Sequence, residues 1–117
     1  MQKKAGIIGL GLIGGSIGLA LRELGWSVVG SDTDESRTDE AIEIGAIDQV
    51  GSMEGADIVF VATPVAAIAK SVQQAIDQGA SVVTDVGSVK GSISKEVIDS
   101  RFVPGHPMAG SEQEGIS

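Results

Sequence analysis

Apolar positions along the chain switch repeatedly between two periods, and each helical stretch runs into a glycine. The short run Ala5-Gly6-Ile7-Ile8 predicts a buried strand. Ile13, Ile17, Ala20, Leu21 and Leu24 then share one face of a helix that ends at Gly25. Residues 27–31 predict a second strand. Asp34, or a neighbouring hydroxyl, caps a second helix whose acidic first turn suits the helix dipole and which carries Ala41, Ile42 and Ile44 to Gly45. A brief, weakly patterned third strand is expected over 46–50. The unbroken core Ile58-Val59-Phe60-Val61 within residues 57–62 predicts a strand buried on both faces, as in a parallel sheet. Thr63-Pro64 stops it, and Val65, Ile68, Ala69, Val72, Ala75 and Ile76 keep helical spacing as far as Gly79. Residues 81–86 give a further strand, Gly87 a turn, Val89, Ile93 and Val97 the face of a fourth helix, and 101–103 a last strand. Strands alternating with helices of this length build parallel βαβ units with right-handed crossovers. The expected fold class is α/β, a doubly wound parallel sheet in a single domain over residues 1–117.

One stretch imitates a membrane segment: Lys3 and Lys4 precede an uncharged run over 5–21 that Arg22 closes. Gly6, Gly9, Gly11, Gly14, Gly15 and Gly18 interrupt that run, and it falls short of the ~20 residues a bilayer requires. The Gly11/Gly15 and Gly14/Gly18 pairs match the small-xxx-small pattern of membrane helices. A second apolar strand follows, however, where a membrane anchor would lead into a polar domain, so no membrane association is expected.

Charge narrows the function classes. Sixteen acidic residues against eight basic ones leave a net charge of −8 over 117 residues. Nucleic acid and anionic membrane surfaces offer nothing for such a surplus of carboxylates to pair with. The hydrophobic share of 42% suits one compact domain. With no Cys the chain has no disulfide framework, thiolate metal site or Cys nucleophile, which fits a reducing, cytoplasmic setting. No metal site is expected.

Gly9-Leu10-Gly11-Leu12-Ile13-Gly14 is a GxGxxG placed after a strand and at the opening of a helix, the context in which this weak motif gains meaning. Gly9 permits the tight turn, Gly11 lets a pyrophosphate approach the backbone, and Gly14 allows close helix–strand packing. The helix start, with Leu12 and Ile13, offers unpaired N–H groups. An acidic protein can hold an anion in this way because backbone amides supply the local positive potential. Asp32 lies at the end of the second strand, eighteen residues past Gly14, close to the ~20 expected of a carboxylate that binds an adenosine ribose diol. It would repel a 2′-phosphate, so NAD is expected over NADP, with Arg37 the one nearby residue that argues otherwise. Asp32 could also be a simple helix cap or solvated turn residue.

Three further loops leave the carboxyl ends of strands, where an open α/β sheet places its ligand. They carry Thr63, Pro64 and Val65, then Gly87, Ser88 and Lys90, then His106 through Glu112. His106 is the single His of the chain. Taken alone it reads as a surface loop histidine, but with Ser88 it makes a plausible hydroxyl-recognising pair beside a nicotinamide. Lys90 either touches a substrate carboxylate or is a solvated residue of a first helical turn.

The run from Gly9 to Ser16, Thr63-Pro64, the stretch Asp85-Val86-Gly87-Ser88-Val89-Lys90, and Gly105-His106-Pro107-Met108-Ala109-Gly110-Ser111-Glu112 together resemble the N-terminal domain of the prephenate/arogenate dehydrogenase family of tyrosine biosynthesis. The resemblance implies an NAD-dependent oxidative decarboxylation of a cyclohexadienol, prephenate or arogenate. It places the proton-accepting base on His106 and the residue that orients both His and hydroxyl on Ser88; Lys90 and Glu112 are separate candidates for substrate contact. It also implies a following helical domain that forms a homodimer and grips the substrate's side-chain carboxylate. No such domain follows Ser117, so a domain cut from a longer, dimeric parent is expected, inactive by itself. Two rival readings are a stand-alone NAD(H)-binding or sensor module, which has no need of Ser88 and His106 on neighbouring loops, and a fragment of a hydroxyacid dehydrogenase, which does not need His106 there.

Overall fold

The computed structural model describes residues 3–86 and the strand backbone at 102–103. Along the chain run β1 (Lys4–Ile8), α1 (Leu12–Glu23), β2 (Ser27–Ser31), α2 (Glu35–Ile44), β3 (Gln49–Val50), β4 (Ile58–Val61), a 3₁₀ turn (Val65–Ala67), α3 (Ile68–Asp77), β5 (Val83–Asp85) and β6 (Phe102–Val103). The six strands form one sheet in the order β3-β2-β1-β4-β5-β6, every pairing parallel. This is the doubly wound arrangement expected from the alternation of periods, and its strand order reverses between β1 and β4. The fourth helix expected around Val89, Ile93 and Val97 lies outside the described residues.

Alternating side chains divide the core into two layers. Ile7 and Val28 point to the face that α1 and α2 cover, where they meet Leu10, Ala41, Ala46 and Ile47. Ile8, Val29, Val59 and Val61 point to the opposite face and pack with Ile68, Val72, Ala75 and Ile76 of α3. Asp34 caps α2 as expected, its carboxylate accepting the Ser36 N–H at 3.0 Å. Gly25, Gly45 and Gly79 follow α1, α2 and α3 with φ of 90°, 84° and 102°, a left-handed backbone that ends a helix without strain only at glycine.

Several details differ from the expectations. The buried face of α1 is Gly14, Ile17, Gly18 and Leu21, while Ala20 is exposed, Ile13 is 55% exposed and Leu24 is 75% exposed. The helix lies too close to the sheet for larger residues: a β-carbon on Gly14 would overlap the Gly9 carbonyl oxygen, and one on Gly18 the Ala46 carbonyl oxygen. The Gly14/Gly18 pair is therefore a packing face within the domain. In α2 the core side is Thr38 and Ala41, and Ile42 and Ile44 face outward. The third strand keeps only Gln49–Val50, both exposed at the sheet edge, because Ala46 and Ile47 turn inward ahead of it to fill the α2 side of the core. The 57–62 strand is shorter too, and only Val59 and Val61 are wholly buried in it, Ile58 and Phe60 being half-buried; the strand expected over 81–86 likewise keeps only Val83–Asp85. No helix among the described residues is long and apolar enough to cross a membrane.

Candidate functional site

The turn between β1 and α1 lies at the reversal of strand order, where the β1, β2 and β4 ends converge. Gly9 takes φ 100° and donates its N–H to the Ser31 carbonyl at 2.8 Å, tying the turn to the end of β2. A β-carbon on Gly9 would stand 2.7 Å from the Ala62 backbone and 2.9 Å from the Thr63 nitrogen, so the turn also rests directly on the loop after β4. Leu10 is buried, but Leu12, the first residue of the helix, is 89% exposed.

Gly11 is the N-cap of α1 and supplies no side-chain cap, so no side chain covers the opening of the helix from that position. A β-carbon on Gly11 would meet only the Arg37 Nη1, at 3.8 Å, and one on Gly15 would meet nothing within 4 Å. The surface over the helix start is thus backbone with open space above it, the form in which helix amides and dipole meet a phosphate. An apolar groove of about 360 Å³ runs on between α1 and α2, lined in part by Leu12, Leu19, Arg37 and Ile44.

Asp32 follows β2, with 6% of its side chain exposed. Its Oδ2 accepts the Leu10 N–H at 2.7 Å and its Oδ1 accepts the Asp34 N–H at 2.8 Å. Arg37 Nη1 stands 3.9 Å from the same Oδ2, on a half-exposed side chain. The sequence places Asp32 near a ribose, but its hold on the glycine turn, a contact 22 residues apart, has no local signature. Ser36 donates both its hydroxyl, at 2.7 Å, and its backbone N–H to Asp34, and these bonds hold the Asp34 carboxyl below its ordinary value.

Across the turn, the Thr63 hydroxyl oxygen is buried with no hydrogen-bond partner among the described residues. Pro64 carries the chain into the 3₁₀ turn, and Val65 is exposed there. Asp85, wholly buried, ends β5 in register with Val61. The structure therefore gathers Gly9, Gly11, Leu12, Ile13, Gly14, Asp32, Thr63, Pro64 and Val65 beyond the carboxyl ends of the central strands β1, β2 and β4. Gly87, Ser88, Lys90, His106 and Glu112 lie outside the described residues.

A dinucleotide fits these features: an open helix start bounded by glycines, a carboxylate at the adjacent strand end, and a buried hydroxyl without a hydrogen-bond partner among the described residues. The family model of the prephenate dehydrogenase nucleotide-binding domain matches residues 17–117. The chain belongs to that family. The match takes in residues 87–117, which include Ser88 and His106, and it begins just beyond the glycine turn. A prephenate dehydrogenase of Bacillus subtilis is 35% identical over 126 residues, a span that covers 95% of this chain and 34% of the relative. Among solved structures, prephenate dehydrogenase from Aquifex aeolicus in complex with hydroxyphenyl propionate and NAD+ superimposes with a TM-score of 0.80 at 29% identity, over 97% of this chain and 44% of that one. Arogenate dehydrogenase of Synechocystis does so with a TM-score of 0.77 at 33% identity, over 94% and 42%. The chain thus spans about a third of the Bacillus family member and less than half of each solved one.

Proposed function

We propose that the chain binds NAD across the glycine turn and forms the cofactor-binding part of a dehydrogenase acting on prephenate or arogenate. The observation that carries this reading is the turn itself, where glycines leave the start of α1 bare and Asp32 closes the side on which an adenosine ribose would lie. The Gly11 to Gly14 backbone would receive the pyrophosphate, Asp32 the ribose diol, and the Thr63 hydroxyl a polar atom further along the cofactor. Burial of Asp32 beside the site disfavours a second negative group there, which supports NAD over NADP.

NAD bound there would supply the hydride acceptor for the hydroxyl-bearing carbon of the substrate. His106 takes the proton of that hydroxyl, and Ser88 orients both hydroxyl and imidazole, as the family resemblance of those two loops implies. Loss of carbon dioxide then aromatises the ring. In the parent enzyme a further, dimer-forming domain completes the substrate site, with Lys90 and Glu112 on this side of it. The decisive test is a calorimetric titration with NAD of the wild-type chain and of Gly11→Val. The wild type gives saturable binding; the variant stays folded by circular dichroism, since its side chain points into open space, and loses binding. Equal affinity in both would place the phosphates elsewhere.

A further inference from the structure

The Asp32 carboxylate is built into the turn before any ligand arrives. It leaves β2 and bridges two other segments, accepting from Leu10 in the glycine turn at 2.7 Å and from Asp34 at the head of α2 at 2.8 Å. Both bonds are charge-assisted, and such bonds are about twice as strong as neutral ones; the accepting side chain is 6% exposed, with the bond from Leu10 partly buried and the bond from Asp34 at the surface. Leu10 lies between the two residues on which the turn depends: Gly9, fastened to the Ser31 carbonyl at 2.8 Å, and Gly11, over which the phosphates would pass. The pair of bonds Gly9 to Ser31 and Leu10 to Asp32 therefore fixes the turn to the end of β2 at consecutive residues.

Building on the proposed function, we infer that Asp32 is a positioning residue for the phosphate turn, and that this role is separable from contact with the ribose. The stereochemistry allows both at once. A carboxylate offers roughly four lone-pair directions, and the two backbone N–H groups take one on each oxygen, leaving the others for a diol. Without the carboxylate, the buried Leu10 N–H loses its acceptor and the turn samples other conformations, so every ligand that relies on it for its phosphates binds more weakly. A residue acting through the ribose alone would affect only ligands that carry the diol.

The two roles separate in a binding comparison using Asp32→Asn with ADP and with 2′,3′-dideoxyadenosine diphosphate. The amide's oxygen can accept from one of the two N–H groups, but its NH2 then faces the other donor. Positioning predicts that the variant weakens the diol-lacking ligand by about tenfold, the scale of one lost charge-assisted hydrogen bond, and weakens ADP by more. A variant that binds the dideoxy compound as tightly as wild type does, while losing affinity for ADP, overturns the inference and leaves the proposed function standing. Wild-type protein that binds neither nucleotide overturns both. Should Asp32→Asn fail to fold, a through-hydrogen-bond coupling between the Leu10 amide nitrogen and the Asp32 carboxylate carbon, measured in the ligand-free wild type, decides instead. Its presence supports the positioning role, and its absence overturns it.

Discussion

Gly14 faces the carbonyl oxygen of Gly9 so closely that no β-carbon fits between them. Helix α1 is seated on the glycine turn through this contact, and Gly18 repeats it one turn later against Ala46. In each case the nearest obstructing atom belongs to backbone, which cannot rotate away as a side chain would. Gly14→Ala and Gly18→Ala should therefore destabilise the domain by about 1–3 kcal/mol, the usual range for overpacking, despite the better helix propensity of Ala. Gly15, between them in sequence, has nothing within 4 Å of its missing β-carbon, so Gly15→Ala should stabilise by about 0.5–1 kcal/mol. Urea unfolding of the three variants checks the opposed signs.

That same helix marks where the sequence was readable and where it was not. Asp34 and the glycines at 25, 45 and 79 act on backbone a few residues away, so their roles as cap and stops follow from local order. The core face of α1 does not, because glycine contributes no hydrophobic signal when buried, and the eye follows Ile13 and Leu24 instead. The strand alternation gave the sheet, but edge strand β3 is too short and exposed for its limits to be read from pattern. In the site, the glycine turn and Asp32 were legible as motif and spacing. The fastening of Leu10 to Asp32 and the burial of the Thr63 hydroxyl without a partner among the described residues are long-range facts that only the packed sheet creates.

Arg37 is expected to temper the choice of cofactor. Its guanidinium stands between the space over Gly11 and the Asp32 carboxylate, half-exposed, and is the nearby cation for a 2′-phosphate. NAD should bind more tightly than NADP, and Arg37→Gln should widen the gap by roughly tenfold, chiefly through lost NADP affinity, on the scale of one charge-assisted hydrogen bond. Parallel titrations of both cofactors into wild type and variant measure the two ratios. A variant that loses NAD affinity as much as NADP affinity would make Arg37 a contact to the shared part of the cofactor.

Acid should loosen the start of α2 before it unfolds the sheet. The folded Asp34 carboxyl is held below its ordinary value by the Ser36 hydroxyl and N–H, so its cap is fully effective above the unfolded value near 3.8 and is lost as pH falls through the folded one. Asp34→Ala should lower the melting temperature at neutral pH and show a smaller loss of stability on acidification than wild type does. Asp34→Asn, which keeps an acceptor oxygen but does not titrate there, should retain most of the cap and share the flatter pH dependence. Thermal melts of the three proteins from neutral pH into the acid range test the sign.

Thr63 offers the cleanest separation of binding from stability. Its hydroxyl oxygen is buried beside the glycine turn without a hydrogen-bond partner among the described residues, so the folded domain gains little from it and bears the cost of its desolvation. Val has nearly the same shape and no polar atom. Thr63→Val should therefore leave the urea midpoint unchanged or raise it, by up to about 1 kcal/mol of stability. If that hydroxyl is kept for the cofactor, the variant should bind NAD about tenfold more weakly, having lost one hydrogen bond formed only in the complex. Thr63→Ser, which restores the oxygen, should recover affinity without recovering the Val variant's stability. A Thr63→Val protein that binds NAD as wild type does would return the hydroxyl to a structural oddity, and would move the cofactor's polar contacts off the loop after β4.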